Sequence, residues 1–342
     1  MTTKQKFLVR SLRSFVLKSK LPGMCFVVLF LFFVSKSHSQ VATDYRSVGT
    51  GNWNALGTWE TYAGAAWIPA IVTPTSANAN VITISVGNTV SQNIAGLSID
   101  QVIVDGTLQT MTTAALGSFT VANGAGVDLT INGIFWDRFT TGVITWTGTW
   151  EFGSTGTLLK TTGSSSNSWQ ASYNGGASTM PTTSNWILRK VAAANPVLTT
   201  IGSFYGNLTI ENNVAGVWNT AAGSTFQGAG GFPTIKGNFD LGGTGTSTVN
   251  FLNQHTAASP TLVRGNILIR AGNIFANDGT GIEVQGNTTV SGTINYGAAN
   301  ARGIVFSGGN PQSIEGAGVL NIFNMTMNKY SDNLTLNRAI TI

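Results

Sequence analysis

The chain contains almost no cysteine or histidine, and this scarcity excludes several kinds of chemistry. Its 342 residues include one cysteine, Cys25, and two histidines, His38 and His255. Cys25 and His38 both lie in the segment 1–39, which we expect to be removed. What remains can form no disulfide, offers no thiol nucleophile and cannot gather cysteine and histidine ligands around zinc. We therefore expect no metal site and no cofactor, and we place His255 on a polar surface loop.

Charged side chains are scarce as well, and the net charge depends on which part of the chain is counted. The 18 Lys and Arg residues exceed the 13 Asp and Glu residues, which gives +5. Seven of the 18 basic residues, and no acidic residue, lie in the segment 1–39, so the rest carries 11 basic and 13 acidic groups. That nearly neutral remainder argues against nucleic acid as a partner. Its charged fraction is roughly a third of the usual one, and short polar residues replace charges at the surface.

The segment 1–39 has the three parts of a secretory signal peptide. A basic stretch (4–20) precedes an unbroken apolar run (24–34), and Ser37 and Ser39 occupy the small-residue positions before a cleavage site. The apolar run is shorter than the roughly 20 residues that a membrane-spanning helix needs, so we expect no stable span after cleavage. This predicts export through the inner membrane to the medium or the outer cell surface. The alternative is a signal that stays uncleaved as an anchor.

After residue 40 the chain shows short alternating segments rather than helix periodicity. β-Branched residues alternate with polar ones over short stretches, and Gly or Asn bounds each segment. The clearest of these segments are 81–86, 101–104, 127–131, 207–210, 266–269 and 288–290. The pattern predicts an all-β fold.

A recurring Gly-Asn pair favours a right-handed parallel β-helix over other all-β folds. The pair opens a short strand at 206–207, 237–238, 265–266 and 286–287, at intervals that shorten along the chain. Uneven spacing of this kind is typical of a solenoid whose coils accept loop insertions. We expect Gly and Asn at the corners because both tolerate positive φ, and stacked asparagines to form amide ladders. The alternative is a β-sandwich array, whose strands are usually spaced more evenly.

We divide the chain into a signal peptide (1–39), an amino-terminal cap (40–110) and a β-helix repeat region (111–342). Three tryptophans in the cap, Trp53, Trp59 and Trp67, are predicted to cover the apolar end of the first coil. Their alternative role is to stack against sugars. The repeat region stops within a coil pattern, and we expect it to be truncated at its carboxyl end.

Two stretches resemble large secreted surface proteins of Bacteroidota. The amino-terminal stretch is also loosely similar to the G8 domain, a glycine-rich extracellular β module. The residues that carry this resemblance are Trp53, Trp59, Pro74, Ile82, Ile84, Gly87, Val90, Leu97, Val102, Val104, Gly106 and Leu108. The second stretch, 304–328, is similar to Phe-x-Gly-x-x-x-Gln-x-Ile-x-Gly repeats of the same proteins. The resemblance implies an adhesin-like β-helical repeat protein that is exported by type IX secretion, with the export machinery as a partner.

One aromatic and charged patch is the best candidate for ligand contact. Trp136, Asp137 and Arg138 are consecutive, and Trp146 and Trp150 follow closely. Aromatic rings stack on sugar faces and charged groups bond sugar hydroxyls, so the patch is a candidate glycan groove. The alternative is an intercoil loop with a small hydrophobic cluster and a weak surface ion pair.

We expect no catalytic residue. Glycan-cleaving sites need clustered carboxylates, and the 13 here form no Asp-Asp or Asp-x-Asp pair. The sequence therefore predicts a non-enzymatic, exported surface protein whose solenoid makes multivalent contact with a glycan or another cell surface. The alternative is a polysaccharide lyase-like or hydrolase-like β-helix protein that uses Trp136, Asp137 and Arg138.

Overall fold

A computed structural model describes most of the chain that follows the expected signal peptide. The described residues are 40–110, 118–138, 143–162, 166–167, 182–192, 197–198, 204–220, 234–253, 260–277, 281–296 and 303–338. Residues 1–39 and His255 lie outside them, so the structure describes neither the predicted signal peptide nor the predicted surface histidine.

The described chain consists of short strands and one 3₁₀ turn, η1 (Leu56–Thr58). The strands of the first half are β1 (Tyr45–Ser47), β2 (Gly51–Asn52), β3 (Trp59–Tyr62), β4 (Trp67–Pro69), β5 (Ile82–Ile84), β6 (Thr89–Gln92), β7 (Leu97–Ile99), β8 (Val102–Val104), β9 (Thr107–Thr110), β10 (Ser118–Val121), β11 (Leu129–Ile131), β12 (Ile134–Asp137), β13 (Val143–Trp146), β14 (Trp150–Phe152), β15 (Thr157–Thr162), β16 (Ser166–Asn167) and β17 (Asn185–Lys190). Those of the second half are β18 (Val197–Leu198), β19 (Phe204–Tyr205), β20 (Asn207–Asn212), β21 (Gly216–Thr220), β22 (Thr234–Ile235), β23 (Phe239–Leu241), β24 (Val249–Asn253), β25 (Thr261–Val263), β26 (Ile267–Ile269), β27 (Ile274–Asn277), β28 (Ile282–Val284), β29 (Thr288–Val290), β30 (Thr293–Tyr296), β31 (Ile304–Gly308), β32 (Gln312–Glu315), β33 (Val319–Asn321), β34 (Met325–Lys329) and β35 (Leu334–Leu336).

The strands stack into three faces that the chain visits in turn. The first face holds a seven-stranded sheet (β14-β11-β8-β5-β1-β3-β4) and then a six-stranded one (β19-β22-β25-β28-β31-β34). The second face is one continuous sheet of twelve strands (β2-β6-β9-β12-β15-β17-β20-β23-β26-β29-β32-β35). The third holds a three-stranded sheet (β13-β10-β7) and then a seven-stranded one (β16-β18-β21-β24-β27-β30-β33).

Neighbouring strands pair in parallel along these faces, with antiparallel pairing only at β1–β3 and β3–β4 among the described strands. The prediction of an all-β parallel β-helix is therefore confirmed, and the β-sandwich alternative is wrong. Sandwich strands pair through hairpins, whereas here the strands that follow β4 pair in parallel with the equivalent strands of neighbouring coils.

Alternation along each strand builds the core. Most of the three-residue strands are buried, half-buried and buried in succession, because successive side chains point to opposite faces of a sheet. One inward row crosses successive coils in register: Val90, Leu108, Phe135, Leu158, Trp186, Leu208, Phe239, Ile267 and Thr288. Each large apolar member contributes about 1.5–3 kcal/mol by leaving water.

The Gly-Asn corners form the predicted amide ladder. The Asn207 Oδ1 accepts a hydrogen bond from the backbone N–H of Asn238 at 2.9 Å, and the Asn238 Oδ1 accepts one from Asn266 at 2.8 Å. The Asn266 Oδ1 then accepts from Asn287, and the Asn287 Oδ1 from Ser313, both at 2.8 Å. Each amide thus satisfies a backbone donor of the next coil.

The glycines of these corners serve a different purpose from the predicted one. Gly237, Gly265 and Gly286 do not have positive φ, so the explanation from backbone conformation is wrong. A Cβ on Gly265 would lie 2.5 Å from the carbonyl oxygen of Gly237, and one on Gly286 would lie 2.4 Å from that of Gly265. Glycine is required because the coils approach closely at this corner.

Two of the three cap tryptophans lie inside the first coil. Trp53 is fully buried and Trp59 is 1% exposed, and their rings meet edge to face at 4.9 Å. The Trp53 indole donates to the Pro74 carbonyl and the Trp59 indole to the Trp53 carbonyl, both at 2.8 Å. Trp67 is only partly buried, 5.4 Å from the ring of Tyr62. The antiparallel β3 and β4 extend the first sheet beyond β1 at this end.

Candidate functional site

The predicted patch is divided between the two sides of β12. Along this strand Phe135 and Asp137 point into the solenoid, whereas Trp136 points outward. Asp137 is 3% exposed, and its Oδ2 lies 2.6 Å from the Nζ of Lys160, the residue in register on β15. The carboxylate is therefore held in a buried ion pair instead of facing a groove.

Trp136 and Arg138 lie together on the outer side of the second face. The Arg138 guanidinium carbon lies 4.9 Å from the centre of the Trp136 ring, within the range of a cation–π contact. Arg138 also donates to the Gln109 Oε1 at 3.3 Å, and the Trp136 indole donates to the Thr161 hydroxyl at 3.3 Å. Both side chains are partly exposed.

Trp146 and Trp150 belong to the interior instead. Their rings lie 5.3 Å apart, Trp150 is 3% exposed, and Trp146 packs partly buried against the core. The Trp146 ring also meets that of Phe135 at 6.2 Å. The structure thus joins these two tryptophans to the inward side of β12 and separates them from Trp136. The period-two alternation of a strand would have indicated this division.

Three further ion pairs lie on the described coils, and each also joins adjacent strands. Arg46 and Glu60 connect β1 to β3 at 2.7 Å. Arg189 and Glu211 connect β17 to β20 at 2.6 Å, and Glu211 is 1% exposed. Arg270, which directly follows β26, donates to both carboxylate oxygens of Asp240 on β23. Arg189–Glu211 and Arg270–Asp240 thus tie one coil to the next, whereas Arg46–Glu60 joins two antiparallel strands at the amino-terminal end.

The structure brings together two carboxyl groups that the sequence analysis missed. Asp100 and Asp128 lie about one coil apart, at the corner between the third and first faces. Burial, and then the neighbouring Asp128, raise the pKa of Asp100 to about 6. The fully buried Asp128 accepts from the backbone N–H of Gly124 at 2.7 Å and of Thr149 at 2.5 Å. Although burial opposes the change, these donors hold the pKa of Asp128 below its usual value.

Because the two pKa values move in opposite directions, a proton is favoured on Asp100 rather than on Asp128 at mildly acidic pH. Carboxyl groups with separated pKa values are a common acid–base arrangement in enzymes. Here both oxygens of Asp128 are engaged by donors of its own corner, since the Thr149 hydroxyl also bonds its Oδ2 at 3.0 Å. The spacing of roughly one coil was the signal in the sequence that could have identified the pair.

A buried lysine is a second feature that the sequence analysis missed. Lys190 is fully buried, and burial lowers its pKa. Its Nζ donates to the carbonyl oxygens of Ala215 at 2.8 Å and Val214 at 3.4 Å. The ammonium therefore links the end of β17 to the loop between β20 and β21 on the next coil.

Two absences concern only the described part of the chain. No three Asp, Glu, His or Cys side chains there lie close enough together to hold a metal ion. No helix there is long or apolar enough to cross a bilayer.

These features define a parallel β-helix protein with an outward-facing tryptophan–arginine pair. No protein-family model matches the chain, and neither a curated protein nor a solved structure matches it.

Proposed function

We propose that the chain is an exported, non-enzymatic protein of the cell surface whose β-solenoid presents an extended, nearly neutral face to glycans or to another surface. It belongs with adhesin-like repeat proteins of Bacteroidota, whose sequence patterns it resembles. Repeated weak polar contacts along stacked coils supply avidity without a deep pocket.

The observation that carries this proposal is that many polar and charged side chains of the protein bond one coil to the next. The Asn207–Asn238–Asn266 ladder and ion pairs such as Asp137–Lys160 each bridge neighbouring strands. A stack cross-linked in this way resists bending and local opening, which suits a surface stalk or presenting scaffold.

The second candidate is a carbohydrate-active enzyme. The pKa of Asp100, raised to about 6, is the observation in its favour, because a general acid needs such a value near neutral pH. Against it, Asp137 is paired with Lys160 and Asp128 is fully buried. We therefore favour presentation and binding over turnover.

Export is tested by expressing the full chain in a Bacteroidota host and determining where the protein accumulates. We expect surface protease treatment of intact cells to degrade it, and its first residue to be Gln40. A variant that lacks the segment 1–39 should stay inside the cell. A wild-type chain that keeps Met1 and is protected from protease until the cells are lysed would overturn the proposal.

A further inference from the structure

The outer side of β6, β9, β12 and β15 carries one charged group. Residues that share this side are Thr89, Ser91, Thr107, Gln109, Ile134, Trp136, Thr157, Leu159 and Thr161. Arg138 follows directly after β12 on the same side and is the only charged residue of this described surface. The next charged residue on this face is Arg189 of β17, which is in register with Thr161 and is paired with Glu211. Arg138 is therefore the cation without a carboxylate partner in this described part of the face.

Among the described residues, Arg138 differs from three other arginines in having no carboxylate partner. Arg46, Arg189 and Arg270 each form an ion pair, whereas Arg138 forms none among the described residues. Its sequence neighbour Asp137 points inward and is neutralised by Lys160 at 2.6 Å, so it does not compete for the guanidinium.

The position of the guanidinium is fixed before any ligand arrives. The Trp136 ring supports one face of it at 4.9 Å, and the Gln109 Oε1 accepts one of its N–H groups at 3.3 Å. Gln109 is itself held by its bond to the Ser91 hydroxyl at 2.6 Å. A stacked guanidinium keeps its remaining donors in plane, in the fork that fits a carboxylate, and its prior ordering reduces the entropic cost of binding.

We propose that Arg138, Trp136, Gln109 and Ser91 form a binding site for the carboxylate of a uronic acid within a polysaccharide. The guanidinium bonds the carboxylate, and the amide and hydroxyl groups beside it bond sugar hydroxyls. An acidic peptide fits less well, because its closely spaced charges need several cations and Arg189, the next one on this face, is already paired with Glu211. The inference rests on the proposed glycan contact and names its ligand class.

The test compares polygalacturonate with its methyl ester, which is the same polymer with the carboxylates capped. The chain from Gln40 to Ile342 is immobilised, and binding is measured by biolayer interferometry. We expect polygalacturonate to bind at least about tenfold more tightly than the ester, as one charge-assisted hydrogen-bonded contact allows. Arg138→Gln should abolish the difference while leaving the melting temperature unchanged.

Arg46→Gln is the matched control. Arg46 also lies over an indole, that of Trp67 at 4.4 Å, but it is already paired with Glu60. This variant should keep the preference for polygalacturonate.

The outcomes separate this inference from the proposed function. Equal binding of polymer and ester would overturn the carboxylate site and leave glycan contact standing. Preference for dextran sulfate or poly-glutamate over polygalacturonate would also overturn it. Absence of binding to every polysaccharide tried would overturn both this site and the proposed glycan contact.

Discussion

Asp100 and Asp128 place a carboxylic acid against a carboxylate on neighbouring coils, and their pKa values move in opposite directions. Between about pH 4 and 6 the unfolded chain releases the Asp100 proton while the folded chain retains it. Stability therefore falls as pH rises through this window, by roughly 1–3 kcal/mol. Below about pH 4 the lowered pKa of Asp128 makes stability fall again as the pH decreases. Urea unfolding across the acidic range should reveal a maximum near the ordinary pKa of an aspartate, about 4.

Asp100→Asn removes the titrating group of this pair. The variant should lose the decline between about pH 4 and 6 and be more stable than the wild type at neutral pH. Asp128→Asn is the contrasting change, because it weakens an acceptor of the Gly124 and Thr149 backbone N–H groups. It should be destabilised at every pH. A wild-type profile that is flat through this window would refute the assignment.

Gly265 is a position where a single methyl group should disturb the stack. A Cβ there meets the Gly237 carbonyl oxygen at 2.5 Å and the Asn238 side-chain oxygen at 2.6 Å. Gly265→Ala should therefore cost about 1–3 kcal/mol in the free energy of unfolding. Gly57→Ala is the control, since nothing lies within 4 Å of its Cβ and φ is not positive. We expect that variant to be neutral or slightly stabilised, and equal effects of the two changes would contradict the close-approach explanation.

The buried Asp137–Lys160 pair should be far more sensitive to losing one partner than to losing both. Lys160→Met leaves a buried carboxylate without its cation and should cost roughly 3–5 kcal/mol. The double variant Asp137→Leu, Lys160→Met should recover most of that loss. Thermal unfolding of the single and double variants measures the coupling. Additive effects would mean that the pair is solvated in the folded protein.

Thr288 carries a buried hydroxyl that has no hydrogen-bond partner among the described residues. Thr288→Val keeps the shape and removes the unsatisfied group, so it should stabilise the protein by about 1 kcal/mol. The neighbouring Thr289→Val is the control, because the Thr289 hydroxyl bonds Glu315 at 3.1 Å. In chemical denaturation, the unfolding midpoint of Thr288→Val should lie above that of the wild type and the midpoint of Thr289→Val below it. A destabilised Thr288→Val would indicate that the hydroxyl is satisfied.

The sequence predicted the architecture well because each coil repeats the same pattern of strands and corners. The Gly-Asn pairs at 237–238 and 265–266 indicated both the corner and its amide ladder. The role of the glycine in these pairs was misinterpreted. Close approach between coils depends on how the coils stack, which the sequence of a single coil does not reveal. The site was predicted less well for the same reason. Asp137 pairs with Lys160 across coils, and only the register between strands reveals that partner.

Binding without turnover is the central claim of this account. The most direct measurement is the release of reducing ends from a panel of neutral and acidic polysaccharides incubated with the chain from Gln40 to Ile342. The account predicts binding of polygalacturonate and no release above that of a heat-unfolded sample. Sustained release from any polysaccharide that is lost in a folded Asp137→Ala or Asp100→Asn variant would contradict it and establish an enzyme.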